Sequence, residues 1–282
     1  MSEWQELSNE SLWRKLAVGV WGSPSEPVMT TRIRVRADAL IEYVEALDAA
    51  VDERVTPTAV FVRALAAFFD RHPDLNVGMV RNRVVRRSSI DIFCQVAIPG
   101  EGDGGSDLSG VKIEDCEDLD VVQIAGLLDE SVGDVRRDGA NDVGWFRQLL
   151  DVAPDVLKPL LVRSVGWVYY ELPVDWEQFG LPADPFGSAM VSNIGSFGLE
   201  RAYAPLVPVS RAPLVVLPGA INDAPVAEQG AAVVRPVLDV CCTADHRCYD
   251  GVHGSRFVRE LREMLEEPAE HFIRPADAGG ES

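Results

Sequence analysis

The sequence predicts a single α/β domain, because strand-type and helix-type apolar patterns alternate along it with no repeat or linker between them. Three stretches of the 282 residues carry that reading. Residues 28–37, "VMTTRIRVRA", place Met29, Thr31, Ile33 and Val35 at every second position against polar neighbours, the pattern of a strand with one wet face. Residues 56–76, "TPTAVFVRALAAFFDRHPDLN", are apolar almost all round from Ala59 to Phe69, which marks a buried helix rather than a surface one. Residues 231–247, "AAVVRPVLDVCCTADHR", set Val234, Leu238, Val240 and Cys242 on one face against Arg235, Asp239, Cys241 and Thr243 on the other. That strand delivers His246 at its C-terminal end.

The remaining elements follow in chain order. Residues 1–27 read as an N-terminal arm, in which "SLWRKLAVGVW" forms a short helix or arm broken by "GSPSEP". "DALIEYVEALDAAV" has apolar residues at helical spacing, with Asp38 expected as its N-cap. "RVVRRSSIDIFCQVAIPG" reads as two consecutive strands ending at Pro99-Gly100, "EGDGGSDLSG" as a flexible loop, and "DLDVVQIAGLLDESVGDVRRDG" as a helix with Gly139 near its end. Residues 143–180 carry three of the six tryptophans, with Pro154 and Pro159 as breakers; they read as an insertion of broken helices with large apolar faces. Such faces cover a core, or form a groove for an acyl chain or a partner. "SAMVSNIGSFG" is a strand entering a glycine-rich turn, and "RAPLVVLPGA" precedes the long strand. In "GSRFVRELREMLEEP" the residues Phe257, Val258, Leu261, Met264 and Leu265 share one helical stripe. The domain is expected to span residues 1–275, with 276–282 a disordered tail.

Composition narrows the function. A net charge of −19 argues against nucleic acid and anionic membrane surfaces, which require clustered cations. No apolar run is long enough for a membrane span. Five cysteines without a CxxC pair, and no secretory leader, point to free thiols in a reducing cytoplasm. Cys241 and Cys242 fall on opposite strand faces and are not a redox or ligand pair. No metal is expected, since HExxH and multi-His/Cys spacings are missing; GxSxG, the GxxxxGK[ST] phosphate loop and a GxGxxG after a strand are missing too.

What remains is "TADHRCYDGVHG", residues 243–254, with two of the four histidines. His246 sits between a strand and a helix, where it is either a structural residue or an acid–base group. His253, near the helix start, is a capping or surface residue. A histidine base without a protein nucleophile suits direct transfer to a thiol, hydroxyl or amine.

"DHRCYDG" resembles the DHRxxDG signature of the dihydrolipoamide acyltransferase catalytic domain of 2-oxoacid dehydrogenase complexes. "WRKLAVGVW", "TPTAVFVRALAAFFDRHPDLN", "SAMVSNIGSFG" and "RPVLDVCCTADHRCYDGVHGSRFVRELREMLEEP" are similar to further family stretches in the family's order, over roughly residues 11 to 270. The resemblance implies a chloramphenicol acetyltransferase-like two-layer sandwich, a mixed β-sheet flanked by helices. It implies a CoA-dependent acyltransferase that moves an acyl group between a thioester and a thiol or hydroxyl acceptor. His246 is then the base, Ser192 the donor to the tetrahedral oxyanion, and Asp250 the residue holding the active-site turn through a salt bridge to Arg14. It further implies a homotrimer, or a larger cage of trimers, with His246 and Ser192 of one site coming from neighbouring chains. None of Lys15, Lys112 and Lys158 lies in the DKA context that accepts lipoate, so no covalently attached lipoyl group is expected, and the similarity is closer to stand-alone relatives. The alternative is a non-catalytic assembly protein that reuses the fold as a scaffold.

Overall fold

The computed structural model describes residues 27–80, 83–98, 107–138, 164, 167, 168, 170, 178, 184–207 and 210–278. In chain order the first elements are β1 (Val28–Arg36), α1 (Asp38–Asp48), α2 (Pro57–Arg71), β2 (Val77–Val80), β3 (Arg83–Arg86), β4 (Ile92–Ile98), β5 (Asp107–Ile113) and α3 (Val121–Asp138). Beyond residue 183 come β6 (Ala189–Ser192), β7 (Leu214–Pro218), β8 (Asn222–Glu228), β9 (Ala231–Asp245), α4 (Gly251–Glu266), α5 (Pro268–His271) and α6 (Pro275–Ala278).

Seven strands form one sheet in the order β1-β9-β7-β6-β4-β5, with β8 paired to the first half of β9; β2 and β3 make a separate ribbon. β6 runs parallel to both β4 and β7, whereas β9 is antiparallel to β1, β7 and β8, and β5 to β4. The sheet is therefore mixed, as expected.

Side chains alternate across it. One face, including Ile33, Val191, Val216, Val240 and Cys242, packs with Leu40, Phe61, Leu65, Ile124 and Leu261 of the helices into the main core. The opposite face carries Met190, Val215, Leu217 and Cys241, and the chain from Ala202 to Leu206 lies against it. Cys241 and Cys242 thus belong to different cores. α2 is buried all round from Ala59 to Phe69 except at Arg63, because it runs between the sheet and the other helices. Pro57 fits its first turn, where no backbone N–H is needed.

Several expectations change. Ala37, not Asp38, is the N-cap of α1, and it makes no side-chain cap; Asp38 is the first helical residue, where its charge still favours the positive helix end. The loop expected over residues 101–110 ends earlier, since β5 begins at Asp107 and pairs with β4. β2 and β8 were not legible as strands. α6 is helical and Ala278 packs on the core, so residues 276–278 of the expected tail are ordered. The arm, and most of residues 143–180, lie outside the described residues. Within the latter, Tyr170 is buried and donates to the Ser210 carbonyl at 3.1 Å, while Trp167 is exposed. Among the described residues no helix is long and apolar enough to cross a membrane.

Candidate active site

The turn after β9 is closed by its own residues. Asp245 is buried, and its carboxylate accepts from the Arg247 backbone N–H at 2.9 Å and from the Arg247 guanidinium at 2.6–3.1 Å. The carbonyl of Asp245 accepts from the N–H groups of Cys248 and Tyr249, both at 3.0 Å. A buried carboxylate must be paired, and Arg247, two residues on, supplies the pair. Tyr249 is buried and donates to the Leu75 carbonyl at 3.1 Å, which ties the turn to the HPDLN stretch after α2. There His72 meets Glu260 of α4 at 2.9 Å, and the Asn76 side chain joins Ser188 at 2.6 Å and the Ser89 carbonyl at 2.7 Å.

These bonds leave His246 at the outer corner of the turn. Its side chain is exposed, and among the described residues only its backbone N–H is fixed, by the Pro27 carbonyl at 2.6 Å. Asp250 is the N-cap of α4: its carboxylate accepts from the N–H groups of Val252 and His253 at 2.9 and 3.0 Å. His253 completes a capping box, Nδ1 receiving the Asp250 N–H at 3.3 Å. The N–H of His253 is the main cause of an Asp250 carboxyl held below the ordinary carboxylate range, burial opposing and Val252 assisting. Asp250 thus anchors the turn through the helix; its expected partner Arg14 lies outside the described residues.

Cys248 is half-buried, and burial followed by the Asp245 charge pushes its thiol up to about 11. A thiol held so high is a poor nucleophile at neutral pH. Lys112 is held by Asp91 at 3.1 Å and Glu114 at 2.8 Å, not displayed for attachment of a group. An apolar cavity of about 360 Å³ lies beneath the turn, between the start of β1, the end of α2 and the start of α4, with Met29, Phe68, Tyr249 and Phe257 in its wall.

Ser192 ends β6 and is partly exposed. Asn193 beside it donates to the Thr58 hydroxyl at 3.1 Å. The turn that follows needs Gly195, because a Cβ there would come within 2.5 Å of the Gly219 carbonyl oxygen.

The register shows how far apart Ser192 and His246 stand. Val191 pairs with Val216, which places Ser192 beside Leu217, and Leu217 pairs with Cys241. His246 is five residues beyond Cys241, so it lies about 17 Å further along the strand direction and two strand spacings, about 9–10 Å, across. β6 and β9 run in opposite senses, so their C-terminal ends are at opposite ends of the sheet. One chain does not bring the two groups to a common reacting atom, which requires contacts near 3 Å.

Missed at the level of sequence were the Asp245–Arg247 clamp, the Tyr249 anchor and the cluster of Arg32, Arg34 and Arg201 around Asp239. The signal for the cluster was present, since Arg32 and Arg34 alternate on the wet face of one strand and Asp239 on that of another.

A mixed sheet with DHRxxDG closing its longest strand defines an acyltransferase-type catalytic domain. Residues 16–141 and 186–273 match the model of the 2-oxoacid dehydrogenases acyltransferase (catalytic domain) family, and the chain belongs to that family. The succinyltransferase component of the Haemophilus influenzae 2-oxoglutarate dehydrogenase complex is 22% identical over 245 residues, 86% of this chain and 46% of that protein. The acetyltransferase component of the Bacillus subtilis acetoin cleaving system is 38% identical over 80 residues, 28% of this chain and 19% of that protein. This chain therefore spans about half the length, or less, of these curated relatives.

Among solved structures, a probable dihydrolipoamide acetyltransferase from Listeria monocytogenes overlays with a TM-score of 0.63 at 17% identity, covering 94% of this chain and 95% of that one. The Azotobacter vinelandii dihydrolipoamide acetyltransferase gives 0.64 at 17% identity over 87% of this chain and 84% of that one. That structure addresses the role of a serine, a histidine and an asparagine in its catalytic mechanism, the last two four residues apart. The cubic core of a pyruvate dehydrogenase multienzyme complex gives 0.63 at 16% identity, covering 87% of this chain and 84% of that one. These overlays establish the fold.

Proposed function

We propose that the protein is a CoA-dependent acyltransferase whose site is shared between neighbouring chains of a homotrimer, on its own or within a larger cage. His246 of one chain removes the proton from a thiol or hydroxyl acceptor. The acceptor attacks the thioester carbonyl, and the tetrahedral oxyanion receives a hydrogen bond from the Ser192 hydroxyl of the neighbour. The intermediate then expels the CoA thiolate, which takes the proton back from His246. No bond to the protein forms. Asp250 contributes by capping α4 and fixing the turn, the position at which the Azotobacter spacing places an asparagine.

The observation that carries this reading is the placement of His246, exposed at one end of the sheet, opposite Ser192 at the other. A pair of groups so divided is productive only where two chains meet, and cores with this fold assemble, as the cubic example does. The test is transfer from a panel of acyl-CoA thioesters to dihydrolipoamide, simple thiols and alcohols. His246→Ala is expected to lower the rate by about 10²–10⁴ while leaving the melting curve unchanged. Equal rates for the two proteins, or no transfer by wild type to any acceptor, would overturn the reading.

A further inference from the structure

From Arg201 to Val207 the chain is extended, and its exposure alternates residue by residue. Ala202, Ala204 and Leu206 pack on the sheet face of Met190, Val215, Leu217 and Cys241, while Arg201, Tyr203, Pro205 and Val207 face outward. That is the period of a strand. Among the described residues, however, no backbone N–H or carbonyl from Glu200 to Leu206 has a backbone hydrogen-bond partner. A strand without a neighbour offers main-chain donors and acceptors to another chain.

The side chains along this outer row, and in the turn before it, are apolar. Phe197, Leu199 and Tyr203 are 55%, 49% and 50% exposed, and Val207 and Ile221 are exposed too. The Ala220 N–H donates to the Leu199 carbonyl at 2.8 Å, which sets Ile221 beside Leu199. About half of five large side chains is an area on the order of 400 Å², a size of patch that usually has a task, and it begins five residues after Ser192. Arg32, Arg34 and Arg201 border it against Asp239 and Glu200, so its edge carries net positive charge. Two copies of a chain at −19 repel each other, and contact is least opposed where that charge is reversed. The other end of the divided site has exposed apolar groups of its own. Val252, in the first turn of α4 beside Asp250, is 67% exposed, and Val28, which pairs with Asp245, is exposed as well.

We propose that the outer row from Phe197 to Val207 is the face on which a second copy seats its His246 end, with Val28 and Val252 entering the patch. The contact is head-to-tail: each chain presents the patch on one side and the two valines on the other, and a ring closes the series. This rests on the acyltransferase reading for the need to join Ser192 with His246, and the arms of the test separate the two. Particle mass of the 282-residue chain is measured by sedimentation velocity. Phe197→Asp and Tyr203→Asp on the patch, and Val252→Asp on the opposite side, each set a carboxylate in the apolar contact. Each is expected to weaken assembly about a hundredfold and leave single chains, with the melting curve of an intact fold because all three side chains are exposed. Mixing Tyr203→Asp with Val252→Asp chains gives the decisive reading. One keeps an intact patch and the other intact valines, so the mixture is expected to form two-chain particles and no closed ring. Patch variants that keep the wild-type mass, or a mixture that stays single-chained, overturn the assignment even where wild type is a trimer and His246 proves essential. Single-chain variants that transfer acyl groups at the wild-type rate leave the interface standing and remove the shared site. A wild type that is a single chain at every concentration overturns both.

Discussion

At the scale of single residues, the short stretch 243–254 divides its work. Asp245 and Arg247 spend their charges on each other, the Tyr249 hydroxyl is spent on the Leu75 carbonyl and Asp250 on the first turn of α4, so that the exposed His246 ring is left uncommitted among the described residues. Replacing each has a distinct expected effect. Ser192→Ala is expected to lower kcat by about 10²–10³ with KM nearly kept, because in the proposed mechanism its hydroxyl binds the oxyanion and not the ground-state carbonyl. Asp250→Asn keeps both activity and melting temperature close to wild type, since asparagine caps a helix as well as aspartate does; Asp250→Ala lowers the melting temperature by several degrees. A large loss of activity in Asp250→Asn with an unchanged melting curve would show that the negative charge itself is needed. All five cysteines are free thiols, four of them buried, and Cys248 is held near 11. Little reaction with a disulfide reagent is therefore expected for the native protein at pH 8, and full reaction after denaturation.

At the scale of elements, the turn is only as firm as its ties to α2 and the sheet. Tyr249→Phe keeps the ring and leaves a buried carbonyl without its donor, and is expected to cost about 1–2 kcal/mol in a denaturant titration. The Asp239 cluster joins β1, β9 and the chain after β6. Burial works to raise the Asp239 carboxyl, but hydrogen bonds from Arg34 and Arg201 outweigh it, and the group ionises below the ordinary carboxylate range. A depressed carboxyl stabilises the fold above its unfolded value, about pH 4, and that contribution is lost as pH falls toward the folded value. The stability gap between wild type and Asp239→Asn is thus expected to be full at pH 6 and to narrow below about pH 4. These ties also explain what the sequence left unread. The motif was legible because its closing contacts fall within a few residues, whereas Tyr249 and Leu75 are 174 positions apart and His72 and Glu260 are 188 apart. β8 escaped notice because "NDAPVAE" alternates partly buried with exposed positions and has no apolar face, resting on its pairing with β9. Asp38 was placed one residue off, since the onset of α1 is held through the backbone, the Ala37 N–H donating to the Pro236 carbonyl and the Ala37 carbonyl accepting from Ile41, rather than by the nearest carboxylate.

At the scale of the whole molecule, the separation of Ser192 from His246 makes a prediction that mutation of either alone cannot. Mixing His246→Ala with Ser192→Ala chains, unfolded and refolded together, pairs an intact histidine with an intact serine at some interfaces. In a closed three-chain ring built from equal amounts, about one interface in four is intact, so about a quarter of wild-type activity should return. A site contained in one chain returns none. Size measurement by light scattering on the same samples establishes whether the particles are trimers or cages.

Setting the two reacting groups at far ends of one sheet has a consequence for dosage. On the proposed shared site an isolated subunit is expected to be inert, however well folded, and turnover per milligram to climb with protein concentration until the rings are saturated, which a dilution series of specific activity checks. On that reading dilution would act as an off switch that needs no inhibitor.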